Sequence, residues 1–146
     1  MPQTKYGQYF VEVKRSQIRG EDGVPVFDGL MVKPDKLGYN MNFGFQFVKK
    51  PFKNNNPAHT HDFPEFLIFY GANLEDPEDF GGNVVELCMG EELEKHVITK
   101  PTIVYLPPEL VHCPLEITRV DKPFVMMEIM LVPPGGGKRE PFKFKK

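Results

Sequence analysis

The sequence predicts an all-β fold in which short antiparallel strands form a sandwich or a barrel. The 13 phenylalanines and 5 tyrosines favour strands, whereas the 15 prolines and 13 glycines interrupt them and argue against long helices. In several segments apolar residues recur with a period of two, which is the spacing of one face of a strand. The length of 146 residues is that of one domain. Six or more short strands in one such domain indicate a sandwich or a barrel.

The clearest alternation is a stripe of aromatic residues, Phe43, Phe45 and Phe47. We expect this face of the strand to pack in the core. The opposite orientation would turn Asn42 and Gln46 inward as hydrogen-bonding groups. Further strands are expected where apolar, β-rich runs end at glycine or proline, over residues 66–70, 84–89, 102–106 and 124–132.

Two segments between these strands need separate interpretations. Residues 73–83 are rich in Asp, Glu, Pro and Gly, which predicts a surface excursion that could shape the mouth of a pocket. Residues 91–96 have helix propensity, but the β-branched residues that follow favour a hairpin instead. His96 would then be an exposed residue of that hairpin.

Charge and hydropathy exclude several classes of partner. A net charge of −2 provides no basic field for nucleic acid or anionic lipid. No apolar run matches a secretory signal or approaches the roughly 20 residues of a membrane span. We therefore expect a cytoplasmic protein without a nucleic-acid or membrane partner. Beyond a barrel core of about residues 40–132, the Gly- and Lys-rich tail at 133–146 is expected to be solvated or to lie along the domain surface.

The segment His59-Thr60-His61-Asp62-Phe63-Pro64-Glu65 contains two of the four histidines. On a strand, residues i and i+2 point to the same face with Cα atoms roughly 6–7 Å apart, so His59 and His61 can converge on one ion. Glu65 keeps the same parity and can supply a carboxylate oxygen. Imidazole and carboxylate suit Fe(II), Mn(II), Ni(II), Zn(II) or Cu(II) and disfavour a soft-metal site built from thiolates.

A third histidine, His112, follows a predicted strand that ends in the turn Pro107-Pro108. If this turn leads into a strand beside the first segment, His112 completes a set of three histidines and one glutamate. Such a set leaves open positions on a five- or six-coordinate ion, as a catalytic metal requires.

These two segments resemble the two conserved motifs of the cupin superfamily, a His-x-His-x3-Glu motif and a proline-turn-histidine motif. The resemblance extends over about residues 53–116 and implies a single-domain cupin, whose fold is an antiparallel double-stranded β-helix, or jelly-roll barrel. It also implies one divalent transition metal ion (Fe, Mn, Ni, Zn or Cu) with the ligands His59, His61, Glu65 and His112.

The departures from the family pattern are confined to turn residues. Lys53 stands where the family has a glycine before the first histidine, and the closing glycine comes one position early, at Gly71. In the second motif Pro107 keeps the family's proline, but the glycines are replaced and Glu116 stands in place of the final asparagine. Because the ligand residues are all present, these departures affect the loop geometry more than the metal site.

The resemblance implies two classes of function. One is a metal-dependent enzyme, an oxidoreductase of dioxygenase-like type, acting on a small chelating organic substrate. The alternative is a non-enzymatic small-molecule binding or sensing protein with a structural metal. No catalytic residue can be assigned from the sequence. Because cupins commonly dimerise, a homodimer is expected.

Three further residues receive structural interpretations. Cys88 and Cys113 form no disulfide framework and are interpreted as free, buried structural thiols. Strand alternation would turn the thiol of Cys113 away from the ligand side of His112. Glu128 lies among apolar residues and is expected outward or at an interface, the alternative being a buried carboxylate that could act as a base near the ion.

Overall fold

The computed structural model describes residue 10 and residues 14–32, 41–53, 56–133 and 135–144. Within these ranges the regular secondary structure is entirely β, in twelve strands. In chain order they are β1 (Lys14–Arg19), β2 (Pro25–Val32), β3 (Met41–Val48), β4 (Phe52–Lys53), β5 (His59–His61), β6 (Glu65–Gly71), β7 (Val84–Met89), β8 (Glu94–Ile98), β9 (Thr102–Leu106), β10 (His112–Arg119), β11 (Phe124–Leu131) and β12 (Arg139–Pro141). Among the described residues, no helix has the length and apolar character needed to cross a membrane.

The strands form two antiparallel sheets. One has the order β1-β2-β3-β11-β6-β9, and the other has the order β12-β5-β10-β7-β8, with β4 also paired to β10. Buried apolar side chains from both sheets make one core, to which Phe69 and Phe124 contribute from the first sheet and Val85 and Ile117 from the second. This arrangement confirms the predicted all-β jelly-roll barrel. The strands β1, β2 and β12 extend the sheets beyond residues 40–132.

The strands predicted around residues 66–70, 84–89, 102–106 and 124–132 are present as β6, β7, β9 and β11. The hairpin prediction is also confirmed, because β7 and β8 pair antiparallel on either side of a turn. Gly90 begins that turn with a φ of 74°, a left-handed conformation that glycine adopts without a steric penalty. His96 is exposed on β8, as expected.

Phe45 and Phe47 of the aromatic stripe of β3 face away from the core, so the prediction that they pack there is wrong. Phe47 is 42% exposed and Phe45 is half-buried, whereas Gln46 is buried with no hydrogen-bond partner for its Oε1 among the described residues. The side chains of Phe43 and Asn42 lie outside the described residues. Alternation shows which residues share a face, but packing against the second sheet decides which face is buried.

Truncating a core aromatic residue should cost far more stability than truncating one on the outward face. Phe124 is fully buried and packs edge-on against Phe80, so Phe124→Ala should lower the free energy of unfolding by about 3–5 kcal/mol. Phe47→Ala removes the same atoms from a partly exposed side chain and should cost less than about 2 kcal/mol. Urea denaturation measures both values. Equal costs would contradict the orientation of β3.

Candidate metal centre

β5 and the start of β6 carry three residues of the predicted ligand set. On β5, His59 and His61 are buried while Thr60 between them is less so, as the alternation of a strand requires. A short connection leads to β6, whose first residue, Glu65, is 5% exposed. The local sequence therefore turns all three side chains toward the interior of the barrel.

β10 supplies the fourth residue because its first position pairs with β5. His112 lies directly opposite His59 in this antiparallel pair and is 2% exposed. The centroid of its ring is 4.4 Å from that of His59 and 4.8 Å from that of His61. The turn before β10 is tied to β5 by a hydrogen bond of 2.8 Å, which the amide of Glu109 donates to the carbonyl oxygen of His61.

The potential ligand atoms of the three histidines converge, and the Glu65 carboxylate lies beside two of them. One ring nitrogen from each of the three histidines lies within 4.8 Å of the others. Glu65 Oε2 is 2.8 Å from His61 Nε2 and 3.5 Å from His112 Nε2. Adjacent ligand atoms on a six-coordinate ion with bonds of about 2.1 Å are roughly 3 Å apart, which is close to the two Glu65 separations.

A backbone carbonyl group holds the second nitrogen of each histidine ring. The Nδ1–oxygen distances are 2.8 Å for His59 and Pro57, 2.6 Å for His61 and Phe63, and 2.8 Å for His112 and Leu110. A carbonyl oxygen can only accept, so each Nδ1 carries the hydrogen and donates it. In a neutral ring the Nε2 lone pair is then available, which is the form that binds a metal.

Two further features are consistent with a cation bound between the histidine Nε2 atoms and the Glu65 carboxylate. His112 Nε2 is buried and makes no hydrogen bond within the described part of the chain. His61 Nε2 and Glu65 Oε2 approach each other closely, although a neutral imidazole held at Nδ1 and an ionised carboxylate both present lone pairs. A proton or a metal ion must lie between two such atoms. Imidazole and carboxylate ligands together suit a divalent transition metal.

Burial and neighbouring groups adjust the protonation of this set. Burial lowers the pKa of His59, and the proximity of His112 and His61 adds to the effect. Burial also acts to raise the pKa of Glu65, but its interactions with His112 and His61 outweigh burial, and the pKa lies below its usual value. At neutral pH His59 is therefore neutral and Glu65 is ionised, as metal coordination requires.

Comparison with solved structures assigns the fold. A polyketide cyclase from Streptomyces resistomycificus matches with a TM-score of 0.55 and 10% sequence identity, over 92% of this chain and 83% of that chain. A cupin-2 domain protein from Rhodospirillum rubrum matches with a TM-score of 0.53 and 9% identity, over 90% of this chain and 76% of that chain. The chain has the cupin fold. This confirms the fold that the resemblance of the two sequence motifs implies.

A third match is longer than this cupin. A point mutant of salicylate 1,2-dioxygenase from Pseudoaminobacter salicylatoxidans has a TM-score of 0.53 and 15% identity, over 81% of this chain and 32% of that chain. The cupin therefore spans about a third of the dioxygenase. No family model and no curated protein matches the sequence. At such low identities the likeness to solved structures establishes the fold alone.

Three of the four predicted ligand residues border a cavity of about 70 Å³, and His61 is not among its lining residues. His59, Glu65 and His112 line it together with Glu128. Glu128 pairs in register with the buried Leu67 of β6, so both side chains lie on the inward face of the sheet. The expectation that Glu128 lies outward or at an interface is therefore wrong, because the parity of β11 is set by its pairing with β6.

Glu128 is placed where it can exchange a proton near the ligand set. Burial, reinforced by the negative charge of Glu65, raises the pKa of Glu128 to about 7, although Arg139 and His112 act in the opposite direction. A carboxyl group with that pKa is partly protonated at neutral pH and can serve as an acid or a base. This inward position is the alternative that the sequence left open for Glu128.

Cys113 also lines the cavity, so the alternation argument fails at this position. The pairing of β10 with β7 shifts in register between His112 and Leu115, and Cys113 has a φ of 73°. His112 and Cys113 are consequently both buried. Burial raises the pKa of the Cys113 thiol to about 12, which keeps it protonated and a poor ligand. Its burial is confirmed, whereas Cys88 is only half-buried.

Of the two arrangements expected for the basic C-terminal tail, β12 takes the second, because it lies along the domain against β5. β12 pairs with β5 and places Arg139 opposite His61. Just before β12, Gly137 lies so close to Phe63 that an added Cβ would come within 2.2 Å of the ring. The ring of Phe63 stacks on His61 with 4.2 Å between centroids. Arg139 reaches the cavity wall, a role that sequence reasoning missed because nothing local in the sequence indicates this pairing.

Larger surface depressions lie elsewhere on the cupin. One of about 540 Å³ between β8 and β9 contains none of the predicted ligands. Another, of about 450 Å³, is formed partly by the predicted surface excursion at residues 73–83, whose residues 74–78 are exposed. No described residue of 73–83 lines the cavity at the histidines, so the excursion does not shape its mouth. The convergence of donor atoms, and not cavity size, identifies the site.

Replacing Glu128 should change how stability depends on pH. Its pKa is raised from an ordinary 4.5 to about 7, so between these values the folded state binds the extra proton. The contribution of Glu128 to stability is therefore greatest at acidic pH and falls as pH rises through this window, by up to roughly 3 kcal/mol. In EDTA-treated protein, the free energy of unfolding of the Glu128→Gln variant should equal that of the unsubstituted chain near pH 5. Near pH 8.5 the variant should have the higher free energy of unfolding.

Urea denaturation at several pH values measures this difference. Glu91→Gln is the matched control, because Glu91 is exposed in the β7–β8 turn. Its free energy of unfolding should equal that of the unsubstituted protein at every pH. If the free energy of unfolding of Glu128→Gln differed from that of the unsubstituted protein by the same amount at every pH, Glu128 would not titrate in the interior.

Proposed function

We propose that this cupin is a metal-dependent, dioxygenase-like enzyme that acts on a small organic substrate able to chelate the metal. The proposed metal ligands are His59, His61, Glu65 and His112. The observation that carries the proposal is the arrangement of three buried imidazoles, each held at Nδ1 so that Nε2 is available, around a carboxylate that borders a cavity.

A bound divalent metal would supply Lewis acidity toward a chelated substrate and, if it is iron or manganese, redox chemistry toward O₂. The chain's own residues would do the rest. The Nδ1–carbonyl hydrogen bonds orient the ligand rings before the metal arrives. Apolar side chains in the cavity wall, including Leu67, Leu115 and Met126, limit access of water. Glu128 would accept a proton from a chelating hydroxyl group or return it.

The comparisons support the class of protein at a coarser level. The fold is shared with a protein named salicylate 1,2-dioxygenase, which supports an oxygenase, and with a polyketide cyclase, which shows that other enzymes are built on it. The oxygenase assignment therefore depends on the metal centre and on an assay.

Metal content tests the ligand set. Protein purified without a metal-affinity step, or reloaded with Fe(II), Mn(II) or Zn(II), should contain about one ion per chain by elemental analysis. His112→Ala should weaken metal affinity by more than the roughly 10–100-fold that loss of an outer-shell partner costs, because it removes a direct ligand. His96→Ala should have no effect, since His96 is exposed on β8. Failure to bind any added ion would refute the proposed function.

Oxygen consumption separates the enzyme from a binding protein. The Fe(II)-loaded chain should consume O₂ with at least one member of a panel of small chelating acids and phenols, and His112→Ala should not. If a panel member binds the metal-loaded protein without turnover under any condition, the chain is a small-molecule binding protein with a structural metal, and the enzymatic proposal fails.

A further inference from the structure

We propose that the metal cavity binds a small organic anion and that Arg139, on the C-terminal strand β12, is the residue that recognises its negative charge. This inference rests on the proposed metal centre and specifies the substrate class of that site. It assigns a function to a tail residue that lies far from both metal-binding motifs in the sequence.

The pairing of β12 with β5 places Arg139 on the side of the strand that faces the cavity. Arg139 lies opposite His61 in the β12–β5 pair, and directly opposed residues of an antiparallel pair project to the same face. His61 points into the barrel, so Arg139 also starts from the inward side. Its side chain lines the cavity together with Glu65 and Glu128, yet Arg139 is exposed to solvent. It therefore lies at the opening, where an entering ligand meets it.

The chain around Arg139 holds the guanidinium in place. Arg139 Nη2 donates a hydrogen bond of 2.8 Å to Asn56 Oδ1, and Asn56 also lines the cavity. The main chain before it is fixed, because the amide of Lys138 donates to Asp62 Oδ1 at 2.7 Å and the amide of Asp62 donates to the Lys138 carbonyl oxygen at 3.1 Å. A guanidinium has five N–H donors in a rigid fork, so the bond to a neutral amide leaves donors for a carboxylate.

The charges around the cavity favour an anion. A divalent ion and Arg139 contribute three positive charges, against which Glu65 contributes one negative charge. Glu128, which also lines the cavity, adds at most one more negative charge. The site thus keeps a net positive charge, and a bound anion would neutralise it where burial strengthens the attraction.

The rest of the cavity limits the size of that anion. With about 70 Å³ of space and apolar walls that include Leu115 and Met130, the site suits a ligand with a few heavy atoms and a short apolar part. A short carboxylate with a neighbouring oxo or hydroxyl group has this composition. It can chelate the ion and present a carboxylate oxygen to Arg139.

Ligand titrations of the full-length, Co²⁺-loaded protein test the inference. Pyruvate is the anionic probe, imidazole is the neutral probe, and the visible absorption of Co²⁺ reports entry of either ligand. Arg139→Gln should weaken pyruvate binding roughly tenfold or more, since it removes a charge-assisted hydrogen bond, and should leave imidazole binding and Co²⁺ content unchanged. Arg139→Lys should recover part of the pyruvate affinity, because it retains the charge without the fork.

Lys138→Gln is the matched control, since it removes the same charge at the adjacent position, where only the main chain makes the bonds described. It should change pyruvate affinity less than twofold. The inference would be overturned if Arg139→Gln and Lys138→Gln lost equal pyruvate affinity, or if Arg139→Gln bound pyruvate as the unsubstituted protein does. It would also be overturned if the unsubstituted protein bound imidazole but not pyruvate. The metal centre would stand in each of these cases. Failure of the unsubstituted protein to take up Co²⁺ would instead overturn the metal centre, and this inference with it.

Discussion

The hydrogen bonds from the three histidines predicted as ligands to backbone carbonyl groups are the constraint on which the site depends. Each joins a ring to a residue two positions away, before His59 and His112 and after His61. The backbone of β5, of β10 and of their flanking turns therefore sets both the tautomer and the orientation of each ring. The resulting site is preorganised, and a metal would replace the proton needed between Nε2 and a carboxylate oxygen without requiring the rings to rotate.

The inward face of the sheet that contains β3, β6 and β11 carries polar groups that a purely structural barrel would not need. Gln46, Glu65 and Glu128 project into the interior among apolar side chains. Burying such groups costs free energy unless they are paired. Burial raises the pKa of Glu128, so this carboxyl group keeps its proton up to near neutral pH. Functional sites commonly break the rules of core packing, and here Glu65 and Glu128 do so beside the converging histidines.

The C-terminal segment joins the site to the rest of the barrel. β12 adds an edge strand to β5, and Gly137 permits the close packing of this segment on Phe63, which in turn stacks on His61. The contact makes the position of His61, a predicted metal ligand, dependent on Gly137 and its neighbours. It also brings a cation, Arg139, to the opening of the cavity. A tail that composition marks only as basic is thus part of the wall of the site.

Local spacing was enough to predict much of this protein. Alternation placed His59, His61 and Glu65 on one face, and proline and glycine marked where strands end. Spacing could not show which face of β3 is buried, because a period of two is the same for both faces. Nor could it show that a register shift turns Cys113 inward or that β11 aims Glu128 at the cavity. The sequence by itself determined the strand pattern and the candidate ligands. Only the tertiary structure decided which side chains meet, because pairings such as Arg139 with His61 join segments far apart in the chain, whose register depends on the packing of both sheets.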